Sequence, residues 1–341
     1  MVIVDPRLVF RVPELGIHGR QLGGERSDGV LHAFPQVMRG RKGGICPEPE
    51  GASSGAVSIA VILSTYNQPH YLRLVLDGYA CQTRRPDRIL IADDGSTPPT
   101  AQALDQAARA TGLSLIHVWH PDRGFRKTAI LNRVLEVAGE DVLVFSDGDC
   151  IPRRDFVEGH LRLTQEGRFV SGGYLRLPAE TSVQVTAEGV RDGSVFRSGW
   201  LRERGWNPGR RALRLLPWEA PARILDWLTP TKATWNGHNA SALRRHLLDA
   251  NGFDMDMAYG GEDRALGERL ANAGVRGVQA RHRLPVVHLE HDRPYADPAA
   301  IARNREIRTR IGRERGTRAL QGLAELRPDP ELVVRTVSGK R

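Results

Sequence analysis

The chain has 341 residues, 40% of them hydrophobic and 26% charged, the balance of a globular protein that can build one large or two modest domains. No apolar run is long enough to cross a bilayer, and Asp5 and Pro6 interrupt the place where a signal peptide needs an unbroken apolar segment, so a cytoplasmic protein is expected. The net charge of +9 comes from arginine scattered through helices and loops, which is weak evidence for an anionic partner and leaves nucleic acid unexpected.

Residues 1–55 mix short apolar pieces with GRQLGGERSDG, RGRKGG and PEPEGASSG, a composition that buries little surface and reads as a loosely ordered extension. From Val57, VSIAVILS predicts a buried strand ending in the turn Thr65 to Pro69, and Tyr71, Leu72, Val75, Leu76 and Tyr79 recur at helical spacing after it. A second strand, RILIA from Arg88 to Ala92, ends in Asp93, Asp94, Gly95, Ser96 and Thr97, and a helix through Leu104 and Ala108 follows. Leu113 to Trp119 is a third strand and Gly124 to Ala138 a third helix. The next strand, DVLVFSDGD from Asp141 to Asp149, runs into two carboxylates separated by Gly148. This alternation predicts an α/β fold with a doubly wound, mostly parallel sheet and helices on both faces.

The second half is less regular. Phe169 to Tyr174 can form a strand, but residues 179–230 show little sustained periodicity and hold four of the six tryptophans, Trp200, Trp206, Trp218 and Trp227. An irregular stretch of that length is usually functional or mobile. Then come Trp235 to Asn239, a short helix around Ala242 to Leu248, YGGED opening a helix that ends at Gly274, and a strand from Leu284 to His288. A basic helix is expected from Ile301 to Leu320, with no clear signal after Pro328. The expected organisation is an extension (1–55), a regular α/β half (56–175), a less regular second half (176–300) and a basic helix with its tail (301–341). Cys46, Cys81 and Cys150 show no paired spacing, so neither a disulfide framework nor a zinc site is expected.

Three strand ends carry polar clusters: Ser64 to Asn67, Asp93 to Ser96, and Asp147 to Asp149. In a parallel sheet these lie along one edge, where ligands of open α/β sheets bind. Two carboxylates placed there suit a divalent cation that bridges to phosphates, with Gly148 letting the backbone turn; a plain turn is the other reading of Asp-Gly-Asp. Neither a G-x-G-x-x-G fingerprint nor a P-loop is present, so a nucleotide has to be held differently.

STYN at Ser64 to Asn67, ADDGST at Ala92 to Thr97 and SDGD at Ser146 to Asp149 together resemble the inverting glycosyltransferases of family 2, whose fold is GT-A. The resemblance implies that Ser64, with Thr65 and Tyr66 of the same turn, and Asp94 contact the nucleotide of a UDP-sugar. It implies a manganese or magnesium ion on Asp149 and Asp147, with Asp147 also on the nucleotide side. DRGFRKTAILN at Asp122 to Asn132 is similar to the family's stretch before the metal motif, so that Arg126 or Lys127 reaches a phosphate or the acceptor; a solvated helix start is the alternative.

WNGHNASALRR at Trp235 to Arg245, YGGED at Tyr259 to Asp263 and HLEHDRP at His288 to Pro294 resemble a galactosyltransferase-type carboxyl domain, although Tyr259 stands where that group has tryptophan. This implies a third metal ligand at His291, with His288 as the alternative or companion, and imidazole suits a manganese-type ion. Asp263 at a helix start, with Glu262 beside it, is the expected general base; an acidic pair stabilising the helix dipole is the bland reading. The tryptophans offer flat faces for sugar rings or a lipid carrier, or else bury in a second core. The basic C-terminal helix is either a solvated face or a contact to an anionic membrane bearing lipid-linked glycan acceptors. The implied activity is transfer from a nucleotide-sugar to a hydroxyl of a glycan or glycolipid. The rivals are a non-catalytic relic that only binds, and a sugar nucleotidyltransferase, for which STYNQP is the wrong turn.

Overall fold

The computed structural model describes residues 57–216, 218–291 and 297–339. The extension read at 1–55 lies outside them, as do Asp292, Arg293 and Pro294. Among the described residues nine strands form one sheet: β1 Ile59–Thr65, β2 Arg88–Asp93, β3 Leu115–Trp119, β4 Val142–Asp147, β5 Cys150–Pro152, β6 Arg168–Arg176, β7 Asn239–Leu243, β8 Arg276–His288 and β9 Val333–Val337. Their order is β5-β8-β6-β7-β4-β1-β2-β3-β9. The contiguous strands β4, β1, β2 and β3 pair in parallel, and the antiparallel pairings of β7, β5 and β9 leave six of the nine strands pointing one way. This is the α/β arrangement with a mostly parallel sheet that the alternation predicts.

β1 is apolar throughout because both of its faces are covered. Ile59, Val61 and Leu63 pack on one face with helix α1 (Pro69–Ala80), while Ala60 and Ile62 pack on the other with α3 (Lys127–Val137). All five are fully buried, and each large side chain contributes about 1.5–3 kcal/mol by leaving water. α2 (Pro98–Thr111) starts on two prolines, which lack only N–H groups that are orphaned there anyway, and stops at the left-handed Gly112. α4 (Phe156–Leu163) follows β5 and buries Phe156 and Val157 on the α1 side of the sheet.

The second half departs from the expectation in several places. Residues 179–230 are no open loop: four helices lie within them (Ala179–Ser182, Ala187–Arg191, Ser198–Glu203 and Glu219–Trp227), with 3-10 turns between. Trp200 and Trp206 pack on the first core, and Arg204 stacks 3.7 Å over the Trp200 ring. Trp235 is fully buried against Phe145 and Phe169, so it is core and not a sugar platform. The strand around Leu284 is the end of a longer one, β8, and the basic helix spans Pro298–Glu314 with Ile311 and Ile307 packed beside Met257. The tail forms β9, which pairs antiparallel with β3. Cys150 is free and buried, and Cys81 is disulfide-bonded, which its spacing did not suggest.

Candidate active site

The parallel strands deliver their polar ends to one edge, and hydrogen bonds stitch the loops there together. Asn67 holds a left-handed φ of 50°, from which its Oδ1 accepts 2.8 Å bonds from both the backbone N–H and the hydroxyl of Thr97. Its own N–H donates to Ser96 Oγ at 2.8 Å. Gly95, at φ 93°, lies so close under Asp122 that a Cβ would sit 2.5 Å from its Cα, and Asp122 in turn accepts from the Tyr66 hydroxyl at 2.7 Å. Asp94 accepts from the Arg126 backbone N–H at 2.9 Å and meets His120 Nε2 at 2.7 Å, so both of its oxygens are engaged.

Behind this rim sits a knot of charge. Asp147 Oδ1 accepts from Ser64 Oγ at 2.5 Å and from Lys127 Nζ at 2.9 Å. Burial raises the Asp147 carboxyl, but the Lys127 ammonium and the Ser64 hydroxyl outweigh it and hold the group below the usual carboxylate range. Burial likewise works against the charge on Lys127, yet Asp147, Asp263 and Glu262 together push its pKa well above the ordinary value. Gly148 does not serve through a left-handed φ. A side chain there would meet the Ser64 carbonyl at 3.2 Å, so close approach to β1 is what it permits.

Asp149 faces the other way. Its Oδ2 lies 2.7 Å from His291 Nε2 and 3.6 Å from His288 Nε2. β5 and β8 pair here, with Cys150 opposite His288, which sets the two chains side by side. Ligand atoms of Asp149, His288 and His291 all lie within 4.8 Å of one another, as do those of Asp147, Asp149 and Cys150. One carboxylate oxygen and two imidazole nitrogens make a donor set that fits a manganese-type ion better than calcium. The second cluster fits less well, since Asp147 Oδ1 is already held by Ser64 and Lys127.

Asp263 is placed by glycine. Gly260 and Gly261 have φ values of 108° and 109°, and the chain turns through them into the helix Glu262–Asn272. Glu262 is buried and reaches back to the Gly260 N–H at 2.8 Å, so it secures this turn. Gly237 makes room opposite: a Cβ there would stand 2.6 Å from Asp263 Oδ2. Burial, then the neighbouring Glu262 charge, push the Asp263 carboxyl up to about 7, with Lys127 holding it back. Its Oδ1 is buried without a hydrogen-bond partner among the described residues.

Two cavities meet at this carboxyl. The larger, about 1200 Å³, runs from the rim at Ser64 and Asp94 past the Asp149 cluster. Ten of the eleven expected site residues line it. The exception is Arg126, which gives its backbone to Asp94 while its neighbour Lys127 faces the cleft. The smaller, about 460 Å³, shares Tyr174, His238, Tyr259, Glu262 and Asp263 with the larger. It opens where the β6–β8 register breaks between Gly172 and Gly173, a break fixed by Asn239 Nδ2, which donates to the carbonyls of Gly173 and Leu284 at 2.7 and 2.6 Å. Arg214, Lys232, Arg264 and Arg281 line this second cavity, and none of the four forms an ion pair among the described residues. No local signal in the sequence singles them out, because the chain is rich in basic residues and these three arginines and one lysine converge from distant elements.

Comparison with known proteins finds glycosyltransferases. The glycosyl transferase family 2 model matches residues 60–220, covering the STYN, DDGST and DGD turns and leaving YGGED and HLEHD outside. A validoxylamine A glucosyltransferase of Streptomyces hygroscopicus subsp. limoneus is 26% identical over 70% of this chain and 54% of its own length. An uncharacterized protein of Mycobacterium tuberculosis is 28% identical over 42% of this chain and 41% of its own. The chain thus spans about half the length of these curated relatives or less. Among solved structures, a mannosyltransferase of Pyrobaculum calidifontis in complex with GDP-Man and Mn2+ aligns over 70% of this chain and 58% of its own, at 22% identity and a TM-score of 0.46. The glucosyl-3-phosphoglycerate synthase of M. tuberculosis, in complex with Mn2+, UDP-Glc and phosphoglyceric acid, aligns over 75% and 79%, at 21% identity and a TM-score of 0.44. Residues 60–220 thus match the glycosyl transferase family 2 model, and a glucosyltransferase is similar to this chain over 70% of its length.

Proposed function

We propose that this protein is a metal-dependent, inverting glycosyltransferase of GT-A type, which moves a sugar from a nucleotide donor, a UDP-sugar, to a hydroxyl of a glycan or glycolipid in surface polysaccharide synthesis. The observation that carries the reading is Asp263, a carboxyl poised to about 7 where a cleft with a metal-type cluster meets a second cavity. The nucleotide lies in the larger cleft, against Ser64, Thr65, Tyr66 and Asp94. Asp149, His291 and His288 would hold a manganese-type divalent ion, which would offset the charge of the donor diphosphate. Lys127 keeps Asp147 ionised and adds a second fixed positive charge beside the leaving group.

The acceptor enters through the smaller cavity and presents its hydroxyl to Asp263, which removes the proton as the oxygen attacks the anomeric carbon from the face opposite the nucleotide. A carboxylate near 7 is basic enough to take that proton and is still substantially ionised at neutral pH. Glu262 is committed to the Gly260 turn and serves as the positioning residue. His238, pushed down to about 4 by burial, stays neutral between the two cavities. The uncompensated Arg214, Lys232, Arg264 and Arg281 favour an acceptor that carries a negative charge. The carboxyl half keeps the logic of a galactosyltransferase-type domain, and the intact acidic residues weigh against a binding relic. Released nucleotide, measured across a panel of UDP- and GDP-sugars with and without manganese, is the test. Absence of metal-dependent release from every donor overturns the reading.

A further inference from the structure

The helix Glu219–Trp227 is turned inside out. Its inward residues are Ala222 and Asp226, 1% and 4% exposed. Asp226 Oδ1 accepts from the backbone N–H of His282 at 2.7 Å, and Oδ2 accepts from Arg283 Nε at 2.7 Å. A buried acid therefore fastens this helix to β8, with Glu219 paired to Arg162 at its start. The outward residues are the apolar ones. Ile224, Trp227 and Leu228 recur at i, i+3 and i+4 on the solvent face and are 57%, 83% and 59% exposed, with Trp218 at 64% just before the helix. Four large apolar side chains grouped in eleven residues are not scattered surface hydrophobics.

The charge around them is one-sided. Residues 201–232 contain Arg202, Arg204, Arg210, Arg211, Arg214, Arg223 and Lys232 against only Glu203, Glu219 and Asp226, and the last two acids are occupied by the pairs just described. Indoles beside exposed aliphatics, within a basic segment, match the chemistry of an anionic lipid interface, where the rings sit at headgroup depth and arginines meet phosphates. We infer that Trp218 and the Ile224–Trp227–Leu228 stripe dock this protein on an anionic bilayer surface. This surface is distinct from the basic C-terminal helix. The inference stands whether or not the site transfers sugar; if it does, Arg214 and Lys232 place the mouth of the smaller cavity next to the docked segment, within reach of an acceptor carried by lipid.

Flotation of the full chain with vesicles tests this, using phosphatidylcholine alone and an equal mixture with phosphatidylglycerol. Binding is expected to the mixture and not to phosphatidylcholine alone, falling at least about tenfold in Ile224→Ser/Trp227→Ser. These side chains are exposed, so the variant folds, and an unchanged circular dichroism melt confirms it. Arg305→Gln/Arg310→Gln on the C-terminal helix is expected to keep most of the binding. No flotation of the wild type, retained flotation of the Ile224/Trp227 variant, or loss that follows the C-terminal substitutions instead overturns the proposal. Sedimentation velocity supplies the remaining arm: concentration-dependent dimers abolished by Ile224→Ser/Trp227→Ser, without vesicle binding, assign the stripe to a second copy and overturn the membrane reading.

Discussion

Asp263→Asn is expected to yield a protein that is both inactive and more stable, a combination that a purely structural carboxylate does not give. The substitution keeps the shape that Gly237 accommodates and removes only the proton acceptor. Turnover should fall about 10²–10⁴-fold, the usual contribution of a general base, while UDP binding persists because Ser64, Asp94 and Asp149 lie on other loops. The stability change follows from the raised carboxyl. Moving from 3.8 to about 7 corresponds to roughly 4 kcal/mol against the ionised form, of which solvent reaching the half-buried group leaves on the order of 2 kcal/mol. The folded state holds its proton more tightly than the unfolded one, so the penalty is absent below about pH 4, grows between pH 4 and 7, and is complete above pH 7. Asparagine carries no such penalty. In metal-free protein at pH 8, Tm should rise by roughly 4–8 °C, and the gain should vanish toward pH 4. Initial rates and melting curves across pH measure both effects. Turnover within a few-fold of wild type, or a variant that is less stable at pH 8, refutes the reasoning.

Three further outcomes follow from the same geometry. Asp149→Ala and His291→Ala should each weaken UDP binding in manganese to the level seen with EDTA, by calorimetry; equal affinities with and without metal argue against the cluster. Arg214→Gln/Arg281→Gln should raise KM for uronate or sugar-phosphate acceptors about tenfold or more, with little change for the matching neutral sugar; equal effects on both classes remove the charge argument. Gly237→Ala should cut kcat severely without unfolding the chain, because its Cβ falls 2.6 Å from Asp263 Oδ2; normal turnover in this variant means that the carboxyl has room to work elsewhere.

The parts of the fold that sequence made legible are those buried on both sides. β1, β2 and β4 are continuous apolar runs because α1 and α3 cover opposite faces, and the polar turns at their ends stand out by contrast. β9 was not legible, since VVRTV is an edge strand whose side chains are mostly exposed. The helix Glu219–Trp227 escaped for the opposite reason: its apolar stripe faces solvent and its one essential inward group is an acid. Trp235 falls on the core side of the two readings open to its indole, sugar platform or buried packing. At the site, Asp149, Asp147 and Asp263 were readable from strand and helix ends. The knot of Lys127 with three carboxylates and the basic lining of the second cavity were not, because they depend on where β6, β8 and the 209–215 turn meet in space.

The pairing of β9 on β3 sets an order of events during synthesis. Arg335 donates to His117 Nδ1 and to Asp105, and His117 in turn meets Asp93 at the root of the nucleotide-side turn. His117 and Arg335 are 218 residues apart, so at cellular translation rates of about 5–20 residues per second the outer edge of β3 waits roughly 10–40 s for its cover. During that interval the nascent sheet presents an unpaired strand and a buried His–Asp pair that lacks its arginine. Of the two open edges of the early β4-β1-β2-β3 sheet, that of β4 is covered first, by β7, and that of β3 last, by β9.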